Sequence, residues 1–336
     1  MTSPKTMRAL MVEQPGAPFT VVTLPAPVAG PGQVLVRIAA SGVNPLDTKI
    51  RAGAAGHAKQ PLPAILGIDL AGTVVAVGSG AGDFRVGDEV YGAAGGVGGL
   101  QGTLAELAAV DHRLIARKPA NLTMREAAAL PLAVITAWEG LVDRAAVSAG
   151  QKVLVHGGAG GVGHVAVQLA KVLSADVYTT VTSDQFDLVA GYGAQPIDFR
   201  TKNVEQYVDE FTAGEGFDVV YDTVGGTTLD ASFVAARRYG GHVVSILGWG
   251  THSLAPLSFR AATYSGVFTL LPMTTGRYRE NHGKILREVA SLVEAGKLLP
   301  LMDRTVFTLE NALEAHNLVE AGKARGKVVV NVAAVA

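Results

Sequence analysis

In the first third of the chain the apolar residues fall in short runs. They occupy residues 34–38, 72–77, 89–91 and 104–110, separated by turns rich in Gly and Pro. Short apolar runs between such turns predict a compact, mostly β unit. From about Thr123 the pattern changes. Residues 124–130 and 133–142 read as helices. Short apolar strands then alternate with longer amphipathic segments. The strand candidates are residues 153–155, 176–181, 196–199, 217–222, 242–247 and 267–271. The helix candidates between them begin with Val162, Val165, Ala166, Leu169 and Leu173 at helical spacing, and continue with residues 203–211 and 228–238. This alternation predicts a doubly wound parallel sheet, an α/β architecture. The tail reads as a helix over 278–295, a strand over 305–309, a helix over 310–321 and a strand over 327–332. The expected division is a first domain over residues 1–124, completed by 273–336, and a second over 125–272.

The most specific motif sits between the strand at 153–155 and the helix after it. Gly158, Gly160 and Gly163 give G-x-G-x-x-G, with Gly161 and Val162 inside the loop. In a strand–turn–helix–strand setting this is a dinucleotide fingerprint. Gly158 is expected to permit the tight turn, Gly160 to let backbone N–H groups approach a pyrophosphate, and Gly163 to let the helix pack on the strand. The anion then lies at the positive end of the helix dipole. A second glycine-rich run, residues 95–99, is followed by no helix and is expected to be a mobile loop between strands.

Composition narrows the function. The 336 residues include 28 Lys plus Arg and 29 Asp plus Glu, a net charge of −1, which argues against a general electrostatic hold on nucleic acid or an anionic membrane. With no cysteine, disulfides, thiolate nucleophiles and thiolate metal sites are excluded. The N-terminal residues Met1 to Arg8 lack the apolar run of a signal peptide. The most apolar long stretch, residues 127–138, contains Pro131 and is shorter than the roughly 18 residues of a membrane span. A soluble cytoplasmic protein is expected.

Five segments together resemble the medium-chain dehydrogenase/reductase superfamily over nearly the whole chain. They are Ser41-Gly-Val-Asn-Pro-Leu-Asp-Thr-Lys-Ile-Arg51, Leu66-Gly-Ile-Asp-Leu-Ala-Gly-Thr-Val74, Val86-Gly-Asp-Glu-Val90, Leu130-Pro-Leu-Ala-Val-Ile-Thr-Ala-Trp138 and the glycine fingerprint. Within the superfamily the chain is similar to the zinc-independent quinone oxidoreductase branch. That resemblance implies a GroES-like N-terminal domain, a Rossmann domain, a cleft between them and use of NADPH. Where zinc alcohol dehydrogenases present metal ligands, this chain has Asn44, Ile68-Asp69 and Leu132, and the four-cysteine zinc lobe is absent. No tetrahedral zinc site is expected from that donor set.

The resemblance also assigns candidate residues. Asn44 and Asp47 match positions that line the substrate and nicotinamide site, Asn44 as an amide donor and Asp47 as the group that orients it or a water. The same residues also read as a turn and a helix cap. Lys49 is a candidate donor to a substrate oxygen, or a solvated side chain. Thr136 falls where relatives meet the nicotinamide, or is a helix threonine bonded to its own backbone. Asp222 and Val224 match the turn beside the adenine half of the cofactor. Leu247, Gly248, Phe268 and Leu270 match backbones that meet the carboxamide. His156 and His164 carry no metal signal.

Cofactor choice rests on the end of the second Rossmann strand, Thr180-Val181-Thr182-Ser183. NAD enzymes carry an acid there, about 20 residues past the glycines, for the ribose 2′-hydroxyl. Its absence, with Thr182 and Ser183 as donors to a 2′-phosphate and Arg200 or Arg325 as the charge partner, favours NADPH over NADH. Asp184 stands close enough to be an offset ribose acid. The expected activity is an NADPH-dependent, zinc-independent reductase of quinones or α,β-unsaturated carbonyls, working by hydride transfer. The alternatives are an enoyl-thioester reductase and a crystallin-like protein that holds NADPH without turnover. A homodimer paired through the sixth Rossmann strand is implied by the resemblance.

Overall fold

The computed structural model describes residues 5–332, so the first four residues of the N-terminal stretch lie outside it. The chain divides into two compact units. One comprises the residues up to Leu132 together with those from Leu270 onward, and the other spans Ala133–Thr269.

The first unit opens with strands β1 (Thr6–Val12), β2 (Thr20–Pro25) and β3 (Gln33–Val43), followed by helix α1 (Pro45–Arg51). Strands β4 (Ala64–Ile65), β5 (Asp69–Val77), β6 (Glu89–Ala93), β7 (Leu107–Asp111) and β8 (Ile115–Arg117) precede helix α2 (Met124–Ala128). Every apolar run read as a strand in this region lies in or overlaps one of these strands. Thr123 caps α2, and Glu126 closes the box on the Thr123 N–H at 2.8 Å.

The second unit begins within helix α3 (Pro131–Trp138), which continues into a π-helical turn at Glu139–Arg144. Strand β9 (Lys152–His156), helix α4 (Gly163–Val172) and strand β10 (Asp176–Val181) follow. Then come α5 (Phe186–Gly191), β11 (Gln195–Asp198), α6 (Val204–Thr212), β12 (Val219–Asp222), α7 (Thr227–Ala235), β13 (His242–Ser245), α8 (Ala255–Arg260) and β14 (Thr263–Gly266). The sheet order is β11-β10-β9-β12-β13-β14 and every pairing is parallel. This is the doubly wound sheet that the alternation predicts. Val153, Val155, Val220 and Val243 are fully buried, as strands covered on both faces require.

One strand is displaced from its expected position. Residues 267–271 are not a strand. The sixth strand is Thr263–Gly266, and the chain leaves the sheet at Val267. Pro272 explains the shift. It occupies the first turn of helix α9 (Leu271–Thr275), where its fixed φ and missing N–H are tolerated, so the apolar run feeds a helix rather than a ladder.

The tail returns to the first unit. Helix α10 (Arg279–Glu294) packs on β8, and strand β15 (Phe307–Thr308), helix α11 (Ala312–Glu320) and strand β16 (Val328–Asn331) complete the sheet β15-β16-β3-β5-β6-β8. The 95–99 run, expected to be mobile, is packed instead. Val97 is fully buried and the Gly98 N–H donates to Ala58 O at 2.9 Å. Its glycines allow backbone to approach backbone, since a Cβ on Gly96 would lie 2.6 Å from Gly67 O.

Candidate functional site

Strand register places the polar cluster of the first unit. β16 runs antiparallel to β3 with Val328 opposite Val43, and β5 runs antiparallel to β3 with Asp69 opposite Gly42. Asn44, Asp69 and Lys327 therefore arrive at one end of three adjacent strands. All are buried, as is Asp47 in the first turn of α1. Asn44 Nδ2 donates to Asp69 Oδ2 at 2.9 Å, and Lys327 Nζ donates to Asn44 Oδ1. Lys327 Nζ also lies 4.0 Å from Asp69 Oδ2, while Asp69 Oδ1 accepts the Leu132 N–H at 2.9 Å.

Asp47 was expected to orient the Asn44 side chain. Its Oδ2 accepts the Asn44 backbone N–H at 2.8 Å, and the Asn44 side chain also lies close enough to favour its charged form. The second carboxyl oxygen of Asp47 is buried without a hydrogen-bond partner. Burial raises the Asp47 pKa to about 7, against the lowering effect of the Asn44 N–H. Burial likewise raises Asp69 to about 6, opposed by Lys327 and the Asn44 amide. Burial lowers the Lys327 pKa, and the two carboxylates oppose that shift. Lys49 lies exposed on α1 and takes no part in the cluster.

The second unit carries the dinucleotide fingerprint. Gly157, not Gly158, supplies the left-handed turn, with φ of 75°. Gly158 is required for a different reason, because a Cβ there would lie 2.0 Å from Thr179 Oγ1 on β10. A Cβ on Gly163 would lie 2.0 Å from Gly157 O, so this glycine lets the start of α4 close onto the loop rather than onto the strand. Gly160, Gly161 and Val162 complete the turn, and none of the three is buried. The result is a glycine-rich turn at the N-terminus of a ten-residue helix, which fits the pyrophosphate of a dinucleotide.

Beyond the loop, Val181 is buried in β10, so it does not present a side chain to a ribose. Ser183 is exposed. The Thr182 hydroxyl, expected to meet a 2′-phosphate, donates to Asp184 Oδ1 at 2.5 Å. An exposed carboxylate therefore stands at the end of β10. Asp222 is fully buried and acts as a knot: it accepts the N–H groups of Val224 and Gly225 at 3.0 Å and the Ser245 hydroxyl at 2.7 Å. This ties together the ends of β12 and β13, with Val224 half-exposed beside it. Leu247 donates its N–H to Ser245 Oγ at 3.1 Å, and Gly248 is exposed, with no room for a Cβ, which would lie 2.1 Å from the Tyr264 hydroxyl.

Thr136 Oγ1 lies 3.1 Å from Thr269 Oγ1, whose hydroxyl donates to Glu139 Oε2 at 3.1 Å. Burial raises the Glu139 pKa. Phe268 is exposed, Leu270 is buried in the first unit, and Arg325 is exposed there with its backbone N–H on Asp303. His156 is buried with its pKa lowered to about 4 by desolvation, and His164 Nδ1 sits 2.9 Å from Gly160 O, so both are packing residues. No group of three or more His, Asp or Glu side chains among the described residues is arranged to hold a metal ion.

Both units match known families. Residues 30–120 match the alcohol dehydrogenase GroES-like domain, and residues 192–330 match the zinc-binding dehydrogenase model. The chain is 38% identical over 308 residues to a 2-methylene-furan-3-one reductase of Solanum lycopersicum, covering 89% of this chain and 71% of that protein. It is 35% identical over 340 residues to a chloroplastic NADPH-dependent alkenal/one oxidoreductase of Arabidopsis thaliana, covering 97% and 80%. The chain belongs to the medium-chain dehydrogenase/reductase superfamily. An alcohol dehydrogenase superfamily protein of Novosphingobium aromaticivorans superposes on this superfamily member with a TM-score of 0.95 at 56% identity, covering 98% of this chain and 100% of that one. The quinone oxidoreductase of Coxiella burnetii superposes with a TM-score of 0.82 at 30% identity, covering 98% and 100%.

Lys327 and Glu139 were absent from the sequence-based candidates. The one signal for Lys327 is a cation at the head of an apolar strand. No signal in the sequence links it to Asn44.

Proposed function

We propose that this chain is an NADPH-dependent, zinc-independent reductase of α,β-unsaturated carbonyls or quinones. The observation that carries the chemistry is the Asn44 amide, buried yet holding one Nδ2 hydrogen beyond the one given to Asp69. That hydrogen donates to the substrate oxygen and stabilises the negative charge that develops there. NADPH, when bound, supplies a hydride to the electron-poor β-carbon. The fingerprint loop holds its pyrophosphate, and Thr136 orients the nicotinamide. The α-carbon then takes a proton. The named relatives support both the cofactor and the enone or quinone class.

The donor set supports zinc independence. A buried ammonium among Asn44 and Asp69 competes with a divalent cation, and neither thiolate nor imidazole is present there. Initial rates of NADPH oxidation with a panel of enones, quinones, enoyl thioesters and saturated ketones test the reading. Turnover confined to saturated ketones, or none with any of them, would sink it.

A homodimer through β14 is part of the same proposal. The strand lies at the end of the sheet order, and Trp249, Phe259 and Tyr264 are exposed nearby in sequence. Exposed edges of this kind are usually paired or covered. Light scattering is expected to give twice the monomer mass, and a strict monomer at micromolar concentration would refute the pairing. A cytoplasmic location is proposed with it; among the described residues no helix is long and apolar enough to cross a membrane.

A further inference from the structure

Lys327 is 4% exposed, and taking its ammonium out of water is costly. If the site served packing alone, an apolar side chain of similar volume would serve as well or better. What the ammonium does here is specific. It donates to Asn44 Oδ1 while Asp69 Oδ2 accepts from Asn44 Nδ2 on the other side. A flipped amide would set its oxygen against a carboxylate and its N–H₂ against an ammonium. Both contacts are repulsive, so the orientation of the amide is fixed by charge and not only by packing. Hydrogen bonds in such a chain polarise one another. A cation on the amide oxygen draws electron density from the nitrogen and makes the remaining Nδ2 hydrogen a better donor.

Asp69 needs this cation as well. It is fully buried, and among the described residues the Leu132 N–H, the Asn44 amide and the ammonium offset its charge. Asp47 adds a second carboxyl to the same cluster and lacks a partner on one oxygen. One lysine thus contacts one acid and one amide and acts on the second acid through its charge, and the amide is the member with a second N–H hydrogen.

We propose that Lys327 is the positioning residue of this site. Its ammonium and Asp69 together fix the Asn44 amide, and the ammonium polarises it, so that the second Nδ2 hydrogen meets the substrate oxygen. Positive charge thereby enters, on a side chain, a place where zinc enzymes of the superfamily carry a metal. The inference rests on the role given to Asn44 above.

A double-mutant cycle tests it, using the full chain with saturating NADPH and an enone that the wild type reduces. Lys327→Met is expected to lower kcat about 10- to 100-fold, the scale of a weakened oxyanion donor, and to leave NADPH affinity within about twofold. In an Asn44→Ala background the same substitution is expected to cost nothing further, because Lys327 acts through the amide. A structural role would give losses that multiply. If Lys327→Met does not fold, as judged by circular dichroism and a thermal melt, the cycle is run with Lys327→Gln. That variant keeps a neutral donor to Asn44, and a smaller loss is expected that again vanishes in the Asn44→Ala background. Multiplying losses, or wild-type kcat in either folded Lys327 variant, would overturn the inference while leaving the reductase reading intact. A wild type that reduces no enone or quinone overturns both.

Discussion

The amide of Asn44 and the ammonium of Lys327 lie 283 positions apart in the chain and meet in a buried hydrogen bond. The contact closes the first unit, since β16 arrives from the tail to pair with β3 from the N-terminal region. It also sets the charge of the cluster. Two carboxyls, Asp47 and Asp69, face one ammonium, and their environments raise both above the ordinary carboxylate range.

A pH dependence of stability follows. Asp47 holds its proton to about pH 7 in the folded chain, against 3.8 for an unperturbed carboxyl, and Asp69 to about 6. Between pH 4 and 7 the unfolded chain therefore binds fewer protons, and stability falls as pH rises. The lowered Lys327 pKa acts with the opposite sign at higher pH, below its ordinary value of 10.5. Asp47→Asn removes the first effect while keeping an acceptor for the Asn44 N–H. Its melting temperature relative to wild type is expected to rise between pH 5 and 8, by about 1–2 °C per kcal/mol gained. Parallel melting profiles would contradict the assignment of Asp47 as the protonated acid.

Cofactor preference is expected to turn on the exposed carboxylate of Asp184, which accepts the Thr182 hydroxyl. Asp184→Asn frees Thr182 from a charged acceptor and removes a like charge from the region of a 2′-phosphate. The ratio of NADPH to NADH affinity is expected to rise about fivefold, corresponding to about 1 kcal/mol. Fluorescence titration with both cofactors measures it. An unchanged ratio would place Asp184 away from the 2′ position.

The fingerprint can be broken at one atom. In Gly163→Ala the new methyl would sit 2.0 Å from Gly157 O, a backbone atom that can relieve the clash only by moving the loop. Dinucleotide affinity is expected to fall at least tenfold, with about 1–3 kcal/mol lost in stability. Gly191→Ala, where the added Cβ meets nothing within 4 Å, serves as the control. Equal effects on affinity in the two variants would contradict the loop assignment.

The metal reading has a direct check. Elemental analysis of the purified protein is expected to find no stoichiometric zinc, and chelators are expected to leave turnover intact. One tightly held zinc per chain would overturn it.

Much of the second unit was legible in the sequence because its signals are local. Strand β10 occupies the predicted residues 176–181, and Asn203 caps α6 with its side chain on the Gln206 N–H, one residue before the helix begins. The error at residues 267–271 arose because an apolar run does not reveal whether it continues in a ladder or turns into a helix. Pro272 was the cue that decided it. The site was only half legible. Asn44 and Asp47 stand in a recognisable segment, but the partners of the Asn44 amide come through strand pairing, and register between distant strands leaves no local trace. Lys327 was invisible for that reason. Glu139 was hidden because a π-helical turn redirects a side chain that helical spacing alone would place elsewhere.

The central claim is hydride delivery to an activated carbon–carbon double bond. The direct measurement is reduction of an enone with NADPH carrying deuterium at C4, using each C4 epimer in turn, followed by mass and NMR analysis of the product. The account predicts a saturated carbonyl product bearing one deuterium at the β-carbon from one of the two epimers, with the α-hydrogen drawn from solvent. Deuterium at the carbonyl carbon of an allylic alcohol would contradict it.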